Sequence, residues 1–341
     1  MKFGIAEKAM RLLIGGGAPV SIQSMTKVGT SDARACVSQI KALEAAGCEI
    51  VRVAVKSLKD AEAIKDIKKK IRIPLVADIH FNYRLALAAI KSGADKIRLN
   101  PGNIRKREEI AEVVKAARKA KISIRIGVNS GSMKDGLVES AVNYIKIFKA
   151  LNFHDIIISL KASDVVTTVE AYRKMSEVCD YPLHLGVTAA GPYDSGIVKS
   201  SIGIGALVLD GIGDTIRVSL TSDPVEEIIA AKRILSALNL RRFGPEIISC
   251  PTCGRCQVDL AEIVKRLERK LSTTDYGPST KHPLSIAIMG CEVNGPGEAK
   301  EADIGIAFGK DSGMIFKKGK IIKKVTAGKA VNELFKLLTK N

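Results

Sequence analysis

The chain has 341 residues, is 46% hydrophobic and carries a formal net charge of +18, so it can bury one large core and a smaller one. No run approaches the roughly 18 consecutive apolar residues of a membrane span, and the N-terminus lacks a continuous apolar stretch of the signal-peptide kind, which predicts a cytoplasmic location. Aromatic residues make up 4% and Trp is absent, leaving little with which to build a base-stacking surface.

Taken in order, short apolar, β-branched runs alternate with amphipathic stretches long enough for helical crossovers. Strands are predicted at Ser21–Met25, Glu49–Val55, Pro74–Ile79, Lys96–Asn100, Ser123–Val128, Asp155–Lys161, Leu183–Thr188 and Thr215–Leu220. Eight βα units in about 240 residues have the number and length of a TIM (β/α)8 barrel. A doubly wound sheet would carry a glycine fingerprint after its first strand; the one G-x-G, Gly203 and Gly205, follows the seventh and lacks the rest of the pattern, which argues against dinucleotide binding. The expected domains are a barrel over 1–239, a linker over 240–246 and a small α+β iron–sulfur domain over 247–341. In the second domain we predict a helix across Gln257–Leu271, strands at Leu284–Met289 and Ile304–Phe308, a hairpin turning on Lys317–Lys320 and a closing helix from Lys329.

Barrel active sites lie at the C-terminal ends of the strands. There this chain places Arg52, Asp78, His80, Arg98, Asn100, Arg125, Asn129, Ser159, Lys161, Arg217 and Ser219. Charges inside apolar strands are costly unless paired or bound to something. Three arginines and a lysine with only Asp78 clearly opposed to them fit an anionic ligand, and guanidinium forks match phosphate oxygens. The expected ligand is phosphorylated or diphosphorylated.

Cys250-Pro-Thr-Cys253-Gly-Arg-Cys256 and the later Cys291 form the second constellation. The C-x2-C-x2-C spacing is that of ferredoxins and favours a [4Fe-4S] cluster; a structural zinc is the alternative, without the second C-x2-C pair of a zinc ribbon. Spacing does not say which of the four thiols bind. Four would close the cluster as an electron carrier, whereas three and an oxygen ligand would let one iron meet substrate. Seven cysteines without a signal peptide argue for thiols and metal ligation rather than disulfides, with Cys36, Cys48 and Cys179 as inert core residues.

These motifs, in this order, resemble the 4-hydroxy-3-methylbut-2-enyl diphosphate synthase family of the non-mevalonate isoprenoid pathway, in its short two-domain bacterial form. The resemblance covers nearly the whole chain: Gln23-Ser-Met-Thr26, Glu49–Val55, Ala77-Asp-Ile-His80, Ile97–Asn103, Ile124–Asn129, Ser159–Ser163, Gly211–Ser219, Cys250-Pro-Thr-Cys253 and Asn294-Gly-Pro-Gly-Glu298. It implies reductive ring opening and dehydration of 2-C-methyl-D-erythritol 2,4-cyclodiphosphate by an iron–sulfur oxidoreductase. It implies a [4Fe-4S] cluster on Cys250, Cys253 and Cys291 with Glu298 on the fourth iron, which makes Cys291 and Glu298 catalytic. Arg52, His80, Arg98, Asn100, Arg125, Asn129, Ser159 and Lys161 would hold the substrate, with Asp78 supporting His80. It also implies reduced flavodoxin or ferredoxin as electron donor and a homodimer in which one cluster domain covers the other subunit's barrel. No nucleic-acid or membrane partner is expected.

Two positions depart from the family. Cys256 stands where a non-thiol residue is common, either as a neighbour of the cluster or as an alternative ligand. Ala189, in Thr188-Ala-Ala-Gly191, replaces a usual Glu, and a methyl group transfers no proton; Asp194 or water would have to act instead. The alternative readings are therefore an altered or inactive member of the family and, remotely, a basic nucleic-acid-binding metalloprotein.

Overall fold

The computed structural model describes residues 4–7, 12–130, 136–272, 284–292, 297, 300–310 and 312–338. The chain forms two compact units, Met1–Arg241 and Arg242–Asn341.

The first unit opens with an antiparallel hairpin, β1 (Gly4–Glu7) and β2 (Leu12–Gly15). Ile14 of β2 is fully buried against Ile50, Val76 and Ile157, which are first or second residues of three of the barrel strands, so the hairpin plugs the barrel's N-terminal end. Sequence reading missed it because four-residue strands containing glycine leave almost no periodic signal.

Eight parallel strands follow: β3 (Ser21–Met25), β4 (Ile50–Val55), β5 (Leu75–Ile79), β6 (Lys96–Leu99), β7 (Ser123–Asn129), β8 (Ile156–Lys161), β9 (His184–Leu185) and β10 (Thr215–Ile216). They pair in sequence order, β10 returns to β3, and a bridge between Ile158 and Leu183 joins the two ends of the sheet. This is a TIM barrel. The alternating helices are α1 (Ala33–Ala46), α2 (Leu58–Lys68), α3 (Tyr83–Lys91), α4 (Arg107–Ala120), α5 (Leu137–Ala150), α6 (Val165–Val178), α7 (Tyr193–Leu209) and α8 (Pro224–Ala237). Their start signals are local: Asp32 accepts from the Ala35 amide, and Ser57 and Asp60 form a reciprocal capping box at α2.

The last two strands are shorter than expected. The Leu183–Thr188 and Thr215–Leu220 runs pair over two residues each, so Arg217 and Ser219 stand beyond β10 rather than on it. Gly203 and Gly205 lie inside α7, where Gly203 packs against Val187; no phosphate loop forms there. Arg241, expected in the linker, belongs to the barrel: Nη1 reaches Glu49 Oε2 at 2.6 Å and donates to the Val20 carbonyl at 2.9 Å.

The second unit is a five-stranded sheet ordered as in sequence: β11 (Glu246–Ser249), β12 (Ser285–Met289), β13 (Ile304–Phe308), β14 (Gly313–Lys317) and β15 (Lys320–Val325). The first three strands are parallel and the rest antiparallel. Glu246, assigned to the linker by sequence, is the first residue of β11. Helices α9 (Leu260–Ser272) and α10 (Ala327–Leu338) cover one face, and α9 starts three residues later than expected. Leu260, Ile263, Leu267 and Leu271 make its apolar stripe over Ile286, Ile288, Ile306 and Phe308. Because strand side chains alternate, Ala287, Met289, Ala307 and Phe316 form a separate cluster on the other face.

Candidate active site

The barrel mouth is built around two carboxylates. Asp78, near the end of β5, accepts from Arg98 Nη1 at 3.0 Å through Oδ1, and its Oδ2 lies 3.7 Å from both Arg52 Nε and His80 Nε2. Burial opposes ionisation of Asp78, but Arg52, Arg98 and His80 outweigh it and hold the carboxyl well below its ordinary range. Arg98 crosses to β7, where Nη2 donates to the Gly127 carbonyl at 2.8 Å. A Cβ at Gly127 would collide with the Arg98 guanidinium, so this strand position requires glycine.

The second carboxylate, Glu227, was not anticipated; Asp78 was expected to stand alone. Glu227 lies in the first turn of α8, is 1% exposed and accepts from Ser24 Oγ at 2.9 Å and the Leu220 amide at 3.2 Å. Arg217 Nε and Lys27 Nζ each approach it at 3.4 Å. Its signal was a charge on the inward face of an otherwise apolar helix, but the cation it serves was evident only after folding. Met25 Sδ stands between the two halves of the site, accepting from Arg52 Nε at 3.0 Å and Arg217 Nη1 at 3.7 Å.

Between the carboxylates lie the groups with least compensation. Arg125 on β7 is 1% exposed. Its Nη1 donates to Gln23 Oε1 at 2.8 Å, but its Nε and Nη2 have no hydrogen-bond partner among the described residues. Burial and then the field of Arg98 push its pKa down to about 9. Lys161, at the end of β8, is shifted well below its ordinary range by burial and by Arg217, Arg52, Arg125 and Arg98. Gly186 makes room for it: a Cβ there would collide with the Arg217 carbonyl and lie 2.8 Å from Lys161 Nζ.

His184 on β9 is fully buried, and sequence reading overlooked it. Its Nε2 is 3.4 Å from Lys161 Nζ and its Nδ1 is 3.4 Å from Thr215 Oγ1. Burial, then Arg125 and Lys161, depress its pKa well below the ordinary value. A neutral ring between these two groups donates through one nitrogen and accepts through the other.

The remaining predicted residues occupy the same strand ends. Asn100 follows β6 and its Oδ1 accepts from the Gly102 amide at 3.0 Å; Ser159 is buried opposite Gly127, and Asn129 pairs in register with Lys161. Ala189 is exposed with φ +49, and Asp194 is exposed in the first turn of α7.

In the second unit, parallel pairing of β11 with β12 aligns Ser249 with Ile288, which brings Cys250 beside Gly290-Cys291 just beyond the strand ends. The Gly290 amide donates to Cys250 Sγ at 3.3 Å, and a Cβ at Gly290 would lie 2.5 Å from Cys256 Sγ and 3.5 Å from Cys250 Sγ. Cys253 is exposed, while Cys256 is half-buried and hydrogen-bonds to the Val258 carbonyl at 3.3 Å. Among the described residues no three His, Cys, Asp or Glu side chains are disposed to hold a metal ion; Glu298 lies outside those residues. The donor chemistry nevertheless fits a thiolate-held iron–sulfur group: soft sulfur ligands, a backbone N–H on one of them, and a glycine whose missing Cβ leaves room for two of the sulfurs. Cys36 and Cys48 are buried, and burial pushes the Cys48 thiol up to about 12, as suits inert core residues.

Fold and site together describe a barrel with a strongly cationic mouth, followed by a thiol-bearing α/β domain. The chain matches the GcpE TIM-barrel domain over residues 8–232 and the GcpE protein C-terminal domain over 246–340; it belongs to the GcpE family. It is 54% identical over 98% of its length to a protein of Fusobacterium nucleatum named 4-hydroxy-3-methylbut-2-en-1-yl diphosphate synthase (flavodoxin), of which it covers 96%. It is 55% identical to a protein of the same name from Clostridium perfringens, covering 97% of each. Among solved structures, dihydropteroate synthase from Stenotrophomonas maltophilia aligns with 69% of this chain and 98% of its own at TM-score 0.52 and 14% identity. 3-Dehydroquinate dehydratase from Geobacillus kaustophilus aligns with 70% and 98% at TM-score 0.50 and 16% identity. Those two likenesses concern the barrel fold alone.

Proposed function

We propose that this protein converts 2-C-methyl-D-erythritol 2,4-cyclodiphosphate to 4-hydroxy-3-methylbut-2-enyl diphosphate, with reduced flavodoxin or ferredoxin as electron donor. The observation that carries this reading is the imbalance at the barrel mouth, where, among the described residues, Arg52, Arg98, Arg125, Lys161 and Arg217 face two carboxylates, Asp78 and Glu227. A buried guanidinium with two unused N–H groups supports an anionic ligand, and two linked phosphates would engage several forks at once. Family membership and the names of close relatives support the particular substrate.

Cys250, Cys253 and Cys291, with Glu298, would hold a [4Fe-4S] cluster, which when bound supplies the two electrons that the reaction consumes. The barrel residues bind and orient the substrate. Asp78 fixes Arg52, Arg98 and His80 as one unit, and Glu227 does the same for Arg217. His184 stands uncharged beside Lys161 and helps to hold it against the phosphates. As the ring C–O bond to phosphate breaks, the released phosphate oxygen gains charge, and these cations stabilise it without reorganising. The departing hydroxyl takes up a proton and leaves as water. Ala189 cannot provide that proton, which leaves Asp194 or water as its source.

A homodimer belongs to this proposal, with each mouth served by the second domain of its partner. Mixing Arg125→Met chains with Cys291→Ser chains tests it, because recovered turnover requires intact domains from different protomers.

The deciding experiment is anaerobic turnover of the cyclic diphosphate with a strong artificial reductant, with iron and sulfide measured in the same sample. Product formation by iron-loaded protein is expected; a filled cluster without product would overturn the activity. Ala189 motivates a second reading, a member of the family with attenuated catalysis. A large gain in rate for Ala189→Glu would support that reading, and no gain would remove it.

A further inference from the structure

The second domain carries a surface that the reaction above leaves unused. On the sheet face away from α9 and α10, Ala307, Met314 and Lys324 form one cross-strand row, and Phe316 and Ile321 form the next. These residues line a depression of about 540 Å³, with Lys310 and Glu292 on its rim. Met314 and Ile321 are 39% and 67% exposed, an uncovered apolar centre. At its edge Lys310 and Lys324 make no ion pair among the described residues, whereas Lys323, on the helix-covered side, is taken up by Glu333. An apolar centre with a charged rim in which two lysines outnumber Glu292 has the anatomy of a protein-docking surface.

Its position adds to this. Ala307 and Phe316 belong to the same apolar cluster against which Cys250 packs, and Glu292 directly follows Cys291. A molecule seated here would lie next to the thiol site, within the same domain. We propose that this face docks an acidic electron-donor protein of the flavodoxin class, with Lys310 and Lys324 pairing with its carboxylates and Met314 and Ile321 making the apolar contact. The proposal deepens the reductive reading above and rests on it.

Lysines on the edge strand β15 also have a plain structural use, since charge keeps an open sheet edge from pairing with another chain. Charge reversal separates the two roles, because glutamate keeps the edge charged but repels an acidic partner. The test compares iron-loaded wild type with the double variant Lys310→Glu, Lys324→Glu. A control double, Lys59→Glu, Lys115→Glu, makes the same change in net charge at exposed barrel positions.

Flavodoxin KM is expected to rise by about tenfold in the first double variant and to lose most of its salt dependence. Turnover driven by dithionite, and the iron content, should stay within about twofold, and the control should keep the wild-type flavodoxin KM. An unchanged KM overturns the proposal, as do equal losses with both reductants. A changed sedimentation coefficient also overturns it, because the face would then join two copies of this chain. If wild type turns over substrate with neither reductant, the reductive reading fails by itself, and anisotropy of labelled, oxidised flavodoxin decides the docking. Weaker binding by the first double variant alone supports it; equal affinity or no binding to wild type overturns it.

Discussion

Asp78 and Arg98 form the tightest ion pair of the barrel mouth: Nη1 lies 3.0 Å from Oδ1 with both side chains almost wholly buried, while the second carboxylate oxygen faces Arg52 and His80. One carboxylate thus organises three neighbours, and its removal would leave two arginines facing each other in a low-dielectric pocket.

Asp78→Asn should therefore cost stability as well as function. Breaking a buried pair by removing one partner typically costs about 3–5 kcal/mol, so calorimetry of the variant without ligand should show a lower Tm. Inorganic diphosphate should recover part of that loss by supplying the missing negative charge. A Tm equal to wild type would show that the cations find other partners.

Arg125 predicts the opposite sign. Two of its nitrogens have no partner and its charge is opposed by its neighbours, so Arg125→Met should leave the ligand-free protein as stable as wild type or more so. The same change should raise the KM for the cyclic diphosphate at least about tenfold, the scale expected for a lost charge-assisted bond. A destabilised Arg125→Met protein with normal KM would contradict this account.

His184 sets a pH dependence. Its folded pKa lies below the ordinary 6.5, so as pH falls through that ordinary value the unfolded chain binds a proton that the folded chain refuses, and stability declines. Asp78 acts in a different window: its depressed pKa contributes stability above the ordinary 3.8 and loses it only below that value. Between pH 7 and 5 the fall in Tm should thus be shallower in His184→Gln than in wild type. Parallel curves would mean that His184 is not held neutral.

The thiols should divide by environment. Cys256 bonds to the Val258 carbonyl and stands outside the proposed ligand set, so Cys256→Ser should keep iron and sulfide near wild-type levels. Cys250→Ser and Cys291→Ser should lose most of both. Gly290→Ala, crowding the Cys256 and Cys250 sulfurs, should lower iron content without unfolding the domain, as iron analysis alongside circular dichroism would show.

The sequence by itself determined the eight βα units, the β14–β15 hairpin at Lys317–Lys320 and the grouping of thiols at Cys250–Cys256, because each depends on residues near one another in the chain. Apolar runs, capping residues such as Asp32 and Ser57, and a turn glycine act over a few positions. It also located Arg52, Asp78, Arg98, Arg125 and Lys161, since charges within apolar strands are conspicuous and strand ends point to the mouth. Tertiary structure decided which charges meet. Glu227 reaches Ser24 across 203 residues and Gln23 reaches Arg125 across 102, separations over which no local pattern records a partner. β9 and β10 pair over two residues each although their apolar runs are longer, and the space left by Gly127 and Gly186 shows only where Arg98 and Lys161 pass. Packing therefore converted a list of cations into a site with two anchored ends and an undercompensated centre.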